Sequence, residues 1–403
     1  MNHKQIHIKK FGGTSVGSIE KIEQVADRIA KDKLLGQNPL VVVSAMSGET
    51  NRLISLATQI APSCRGQAYD MLLASGEQVS VALLALALEK RNIKATPLLA
   101  HQVGIKTDSL FSRARIQEIN TKQIKTCLKM NHIPLVAGFQ GVTNGNTITT
   151  LGRGGSDTTA VALAVAFKQS ECEIFTDVPK IYTADPRLIK KATQIPKLSF
   201  EEMMEMSSLG SQVLHCRSVE IAAKYKIKIH VRSTFEQTEG TWILPKEEFM
   251  ENPLVSAVTH DRNTVIIKMY PVPSGTEFIA NLFTMLAEKH ISVDIISQSY
   301  HKEGQRLAFS ITAEDLEAAK KIIYEIIEQK KVHIIEGLAK LSIVGVGMAN
   351  HPGVAARFFK VLNKIGVDMH LVTTSEIKIS AIIDKKYLSE AAQAIHEEFI
   401  LIY

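Results

Sequence analysis

Cysteine is scarce. The four residues in 403 (Cys64, Cys127, Cys172 and Cys216) lie far apart, without the paired spacing of a metal knuckle or a disulfide framework. Reduced, buried thiols are therefore expected. Also missing is any block of one charge: the net +6 is spread along the chain, which argues against a nucleic-acid surface. The N-terminal stretch has no apolar signal core, and no apolar run approaches the roughly 18 residues of a membrane span. These absences lead to the expectation of a cytoplasmic protein with neither a membrane nor a nucleic-acid partner. What is present, 45% hydrophobic and 22% charged residues, is ordinary for a globular chain, and the length suggests two or three domains.

The densest chemistry lies at residues 151–160, Leu-Gly-Arg-Gly-Gly-Ser-Asp-Thr-Thr-Ala, with an apolar run behind it. Glycines let backbone approach a ligand closely. A helix starting near Ser156 would aim N–H groups and a positive dipole end into the loop, with Arg153 as a bidentate clamp for carboxylate or phosphate. Read alone, the segment is equally a glycine-rich turn before a buried helix.

The same character recurs upstream. A short strand at 6–10 runs into Phe11-Gly12-Gly13-Thr14-Ser15-Val16-Gly17 and then a helix with Ile19, Ile22, Val25, Ala26 and Ile29 on one face. It is not a Walker loop, because no Gly-Lys-Ser/Thr closes it, and Lys10 precedes the glycines instead. A second apolar strand, 39–45, leads into a polar loop in which Ser44 and Thr50 read either as ligand hydroxyls or as helix caps. Ser75-Gly76-Glu77 interrupts a long alanine- and leucine-rich stretch, where Glu77 is either a helix-start acid or a partner for a substrate ammonium group. Further expectations are a strand at 93–99, a helix at 113–130, a strand at 133–138 and a hairpin turn at 143–146. A strand at 172–175 precedes a loop with two prolines that carries Thr176, Asp177, Tyr182, Asp185 and Arg187. That loop offers the groups a purine nucleotide asks for, or a surface Asp–Arg pair. Helices at 199–207 and 211–224 and strands at 227–232 and 241–244 follow.

Taken together, 10–16, 44–51, 152–157 and 175–187 closely resemble aspartate kinase in order and spacing, and the resemblance covers the whole chain. It implies an α/β fold, a three-layer αβα amino-acid kinase domain (1–245) followed by two ACT domains (254–335 and 336–403). It implies Mg2+- and ATP-dependent phosphorylation of the L-aspartate side-chain carboxylate to 4-phospho-L-aspartate, the first step towards lysine, threonine, methionine and diaminopimelate. Lys10, Arg153 and Asp157 would be catalytic. ATP would meet Lys10, Phe11, Gly12, Gly13, Ser44, Thr176, Asp177, Tyr182, Asp185, Arg187 and Gln212, and aspartate would meet Thr50, Glu77, Arg153, Gly154, Gly155 and Ser156. Gln212 departs from the family, where many members carry a lysine, and a glutamine supplies no charge to the phosphates. The residues assign no dedicated metal ligand set.

Beyond a charged connector at 245–253 the chain repeats: 282–299 and 358–375 align without a gap at an offset of 76. Each copy reads strand, loop, helix, strand, strand, helix, so the two sheets can pair side by side. By resemblance these are amino-acid-sensing modules inhibited by lysine and/or threonine, with Asp294, Gln298, Asn350, His351, Pro352, Gly353 and Val354 as effector contacts. The bland alternative is that they serve only dimerisation. A homo-oligomer through the ACT domains is expected, and an internal start near Met250 would give an α2β2 assembly. Rivals are other amino-acid-kinase enzymes, acting on acetylglutamate, glutamate, carbamate or UMP, and a catalytically dead sensor.

Overall fold

The computed structural model describes residues 5–61, 65–178, 180–209, 213–249, 253–301 and 304–400. The chain divides into two compact units. The first comprises Met1–Ile181, Gln194–Ser208 and Gln212–Met250. The second comprises Tyr182–Thr193, Leu209–Ser211 and Glu251–Tyr403.

The first unit is built on an eight-stranded sheet in the order Lys197–Ser199, Thr241–Leu244, Lys228–Ser233, Glu171–Thr176, Ile6–Phe11, Asn38–Val43, Ile133–Ala137, Ala95–Leu98. All neighbours are parallel except Lys228–Ser233 against Thr241–Leu244. Parallel strands buried on both faces read as unbroken apolar runs, and Leu40, Val41, Val42 and Val43 are all fully buried. Helix Ile19–Leu34 is capped by Ser18, whose hydroxyl accepts from Lys21 N at 3.3 Å. It buries Ile22, Val25, Ala26 and Ile29 as expected, while Ile19 stays half-exposed. Each buried isoleucine or valine side chain contributes about 1.5–3 kcal/mol of burial.

Three expectations are corrected in this unit. The stretch at 113–130 is not one helix: Ile116–Ile119 is a strand paired antiparallel with Ile105–Thr107, and the helix begins at Lys122. Asn120 makes the break, its side chain accepting from Lys122 N at 3.0 Å. Nor do Ser75-Gly76-Glu77 start a helix, since Gln67–Glu89 runs straight through them. That helix is also long and apolar enough to cross a membrane, contrary to the reading of the run lengths. It instead buries Leu73, Ala74, Val81, Leu84 and Leu88 within the unit, and carries Asp70 and Glu77 inward with them.

The second unit contains one six-stranded antiparallel sheet: Ile296–His301, Gly304–Thr312, Ala257–Val272, Val332–Val344, Lys378–Asp384, Met369–Thr374. The repeat offset holds in the packing, as Leu282 and Phe358, Leu286 and Leu362, and Ile291 and Val367 are all buried. Along strand Val332–Val344 the cores change over close to 335/336, but strand Ala257–Val272, expected wholly within 254–335, serves both. The two central strands are shared: Val265, Ile267 and Met269 join Val332 and Ile334 in one core, while Val258 joins Ala339, Leu341 and Ile343 in the other. Ala184 and Ile189 belong to that second core too, so residues 182–193, expected within 1–245, fold with the six-stranded sheet. Thr183 O accepts from Val258 N at 2.7 Å, and Thr183 Oγ1 lies 2.9 Å from His396 Nε2. Cys127 and Cys172 are free and buried as expected, but Cys216 is partly exposed, and Cys64 lies outside the described residues.

Candidate active site

Strand Ile6–Phe11 sits where the chain order of the sheet reverses, between Asn38–Val43 and Glu171–Thr176. Ligands of open α/β sheets bind at such a switch point, outside the carboxyl ends of the strands. Strand alternation separates its two lysines. Lys9 turns to helix Ile19–Leu34, with Nζ 2.8 Å from Asp32 Oδ2 and 3.2 Å from Glu173 Oε2, a structural cluster. Lys10 turns the other way, and its Nζ lies 2.6 Å from Asp157 Oδ1. That ion pair aside, Asp157 Oδ1 is buried without a hydrogen-bond donor.

The loops at these strand ends interlock. Ser44 N donates to Phe11 O and Ser47 N to Gly13 O, both at 3.1 Å, while Gly12 N donates to Phe175 O at 3.1 Å. Gly13 is required by this fit, since a Cβ there would sit 2.8 Å from Ala45 O. Helix Gly155–Ala166 aims its amino end at the same place, with Gly154 at φ +70° as its cap residue. Gly152 at φ +81° and Gly154 flank an exposed Arg153. Ser156 and Asp157 are buried in the helix's first turn, and a Cβ on Gly138 would come 2.7 Å from Ser156 Oγ.

Glu77 arrives from helix Gln67–Glu89. Gly76 lets that helix press on the Ser44 loop, since a Cβ would be 2.9 Å from that of Ala45. One residue on, Glu77 Oε1 accepts from Ala45 N at 3.1 Å. Glu77 Oε2 is buried with no partner. Burial pushes this carboxyl up to about 8, because a desolvated charge without a counter-ion is unfavourable. Such an atom asks for a cationic ligand.

Ser44 and Thr50 do not cap the next helix, whose cap position is Gly48 at φ +84°. Thr176 Oγ1 donates to Asp177 Oδ1 at 3.2 Å. Tyr182, Asp185 and Arg187 lie in the segment that folds with the second unit, and Arg187 Nη2 pairs with Asp185 Oδ2 at 3.1 Å. Gln212 lies outside the described residues. In the second unit, Asp294 is held by Lys340, and Gln298 Nε2 donates to Tyr300 Oη at 2.9 Å. His351 Nδ1 lies 2.7 Å from Gly347 O, exposed Pro352 precedes Gly353 at φ +96°, and the Val354 side chain packs into the core. The Asn350 side chain lies outside the described residues.

Sequence reasoning passed over His215. It is the cap residue of helix Cys216–Tyr225, which was expected to begin at 211, and its ring fills the space beside Gly154: a Cβ on Gly154 would meet His215 Cβ at 2.1 Å. Desolvation lowers its pKa, and Nδ1 is buried without a partner. Its only sequence signal was a place beside the Gln212 departure.

Among the described residues no group of three or more His, Cys, Asp or Glu could cage a metal ion. One buried carboxylate beside a lysine suits Mg2+ brought in on nucleotide phosphates, which needs one or two carboxylates from the protein.

Comparison with known proteins agrees with this geometry. The Amino acid kinase family matches residues 5–233, and an ACT domain matches 341–399. The aspartokinase of Geobacillus stearothermophilus is 44% identical over 98% of this chain and 97% of its own. Escherichia coli aspartokinase III in complex with aspartate and ADP (R-state) superposes with TM-score 0.81 at 26% identity, over 98% of this chain and 99% of that one. The same enzyme with lysine and aspartate (T-state) gives 0.76 at 25%, over 98% and 99%. A lysine at the switch point, a buried glutamate oxygen without a partner and relatives matched along nearly their full length lead to one assignment: the chain belongs to the aspartate kinase family.

Proposed function

We propose that the chain transfers the γ-phosphoryl group of ATP to the side-chain carboxylate of L-aspartate, giving 4-phospho-L-aspartate and ADP. The observation that carries this reading is the buried, unpartnered Glu77 Oε2 in the unit that sets Lys10 and Asp157 at the strand ends. A carboxylate nucleophile is already ionised at neutral pH, so no general base is needed. Its oxygen forms the new bond to the γ phosphorus as the bond to the bridging oxygen of ADP breaks, and no proton moves. The protein's task is positioning and charge neutralisation. Lys10 meets the transferring phosphoryl group. Glu77 takes the substrate ammonium group, Arg153 a substrate carboxylate, and Thr50 and Ser156 add hydrogen bonds. Asp157 would help hold Mg2+, which would neutralise phosphate charge.

The product serves lysine, threonine, methionine and diaminopimelate synthesis in the cytoplasm. Lysine and/or threonine inhibit through the ACT sheet, a reading supported by the lysine complex of the E. coli enzyme. The chain forms a homo-oligomer through that sheet, whose two edge strands carry exposed Ile296, Tyr300 and Val372. An internal start near Met250 would add a separate regulatory chain. The test is ATP turnover with L-aspartate, trapping the acyl phosphate with hydroxylamine, with and without lysine and threonine. Aspartate-dependent hydroxamate lowered by either amino acid is expected. No turnover with any acidic amino acid, alongside tight effector binding, would leave a sensor instead of an enzyme.

A further inference from the structure

We infer that Asp70 and Arg217 are positioning residues that fix where Arg153 presents its guanidinium. Asp70 is fully buried on helix Gln67–Glu89, seven residues before Glu77 and therefore on the same face. Its Oδ2 accepts from Thr150 N at 2.6 Å and Ser112 N at 2.9 Å, and its Oδ1 from Ser112 Oγ at 3.1 Å. Arg217, the second residue of the His215-capped helix, donates from Nη1 to Leu151 O at 2.8 Å and from Nη2 to Ala114 O at 2.9 Å. Between these anchors Thr150 O accepts from Ala114 N at 2.9 Å, and Leu151 N donates to Phe139 O at 2.8 Å.

The backbone is thus pinned on both sides up to Leu151, two residues before Arg153. The next residue is seated as well: a Cβ on Gly152 would lie 3.0 Å from Ser112 O. Ser112 holds φ +66°, a conformation unfavourable for a non-glycine residue, and its bonds to Asp70 over-determine it. A buried carboxylate spent on backbone amides, and a guanidinium spent on two carbonyls of different segments, bind no ligand themselves. They remove freedom from the loop that does. A clamp held in advance loses less entropy on binding. The fork of Arg217 spans both carbonyls, which a lysine ammonium cannot do.

The inference rests on Arg153 binding a carboxylate of aspartate, and the experiment separates the two. Steady-state kinetics for both substrates are measured for Arg217→Lys, Arg217→Met and Asp70→Asn, each with its melting temperature, alone and combined with Arg153→Ala. Expected is a tenfold or greater loss in kcat/KM for aspartate with KM for ATP within twofold, shrinking to less than twofold in the Arg153→Ala background. Equal losses for both substrates, or losses that multiply with that of Arg153→Ala, would reduce Asp70 and Arg217 to scaffold and overturn the inference. If Arg153→Ala alone loses under tenfold, the reading of Arg153 fails and the inference with it. If only the Arg217 variants are silent, the inference alone fails. Should Asp70→Asn not fold, the two Arg217 variants carry the test.

Discussion

The Glu77 carboxyl holds its proton up to about pH 8 in the folded chain, against an ordinary value of 4.5. Between those two values the unfolded chain has lost the proton and the folded chain has not, so stability falls as pH rises through the window and levels off above it. Glu77→Gln keeps an acceptor for Ala45 N and removes the titration. Its melting temperature should exceed that of the wild type at pH 8 and converge with it near pH 4. Function should move the other way. An ammonium group at Oε2 stabilises the ionised form, so KM for aspartate should fall as pH rises towards 8. That slope should vanish in Glu77→Gln, together with a loss in kcat/KM on the order of a hundredfold. A slope that persists would place the ammonium elsewhere. Arg153→Ala should also cost on the order of a hundredfold in kcat/KM for aspartate, as expected for a lost charged clamp. Lys10, Arg153 and Asp157 stood out in the sequence because glycines mark the backbone around them. Asp70 and Arg217 were not, because their partners are backbone atoms 42 to 103 residues away, which no local pattern records.

At the scale of elements, apolar periodicity found most strands of the central sheet and failed where a single polar residue decided the outcome. Asn120 ended what read as a continuous helix, and Gly76, which read as an interruption, instead brings helix Gln67–Glu89 against Ala45. The ACT repeat was visible as matched core positions, but the sharing of both long central strands was not, since each half of a strand looks like a complete short one. The sharing puts Lys340, almost fully buried, within 2.5 Å of Asp294 Oδ2. A buried ammonium needs this partner. Lys340→Met would leave the Asp294 charge uncompensated and, with Asp294 meeting an effector ammonium group, should tighten inhibition by lysine at least fivefold, with kcat and both KM values within twofold. An inhibition titration checks this, and an unchanged midpoint would remove Asp294 from the effector site.

For the whole molecule, the order of residues along the chain and the grouping of residues in space disagree in two stretches, Tyr182–Thr193 and Leu209–Ser211, the first the longer. Ending the chain after Pro253 should abolish the response to lysine and threonine, and retained inhibition would put the sensor elsewhere. The same cut strips Ala184 and Ile189 of their core and Thr183 of His396, so the shortened chain should also aggregate more readily. Light scattering would show it, and replacing Ile189 by a polar residue should relieve it. The 182–193 excursion also bears on inheritance. A recombination at the 245–253 connector, where the sequence looks easiest to splice, would transplant the second unit without twelve of its own residues, the buried Thr183, Ala184 and Ile189 among them. Lineages that exchanged this module would have had to carry both pieces together or refill the gap.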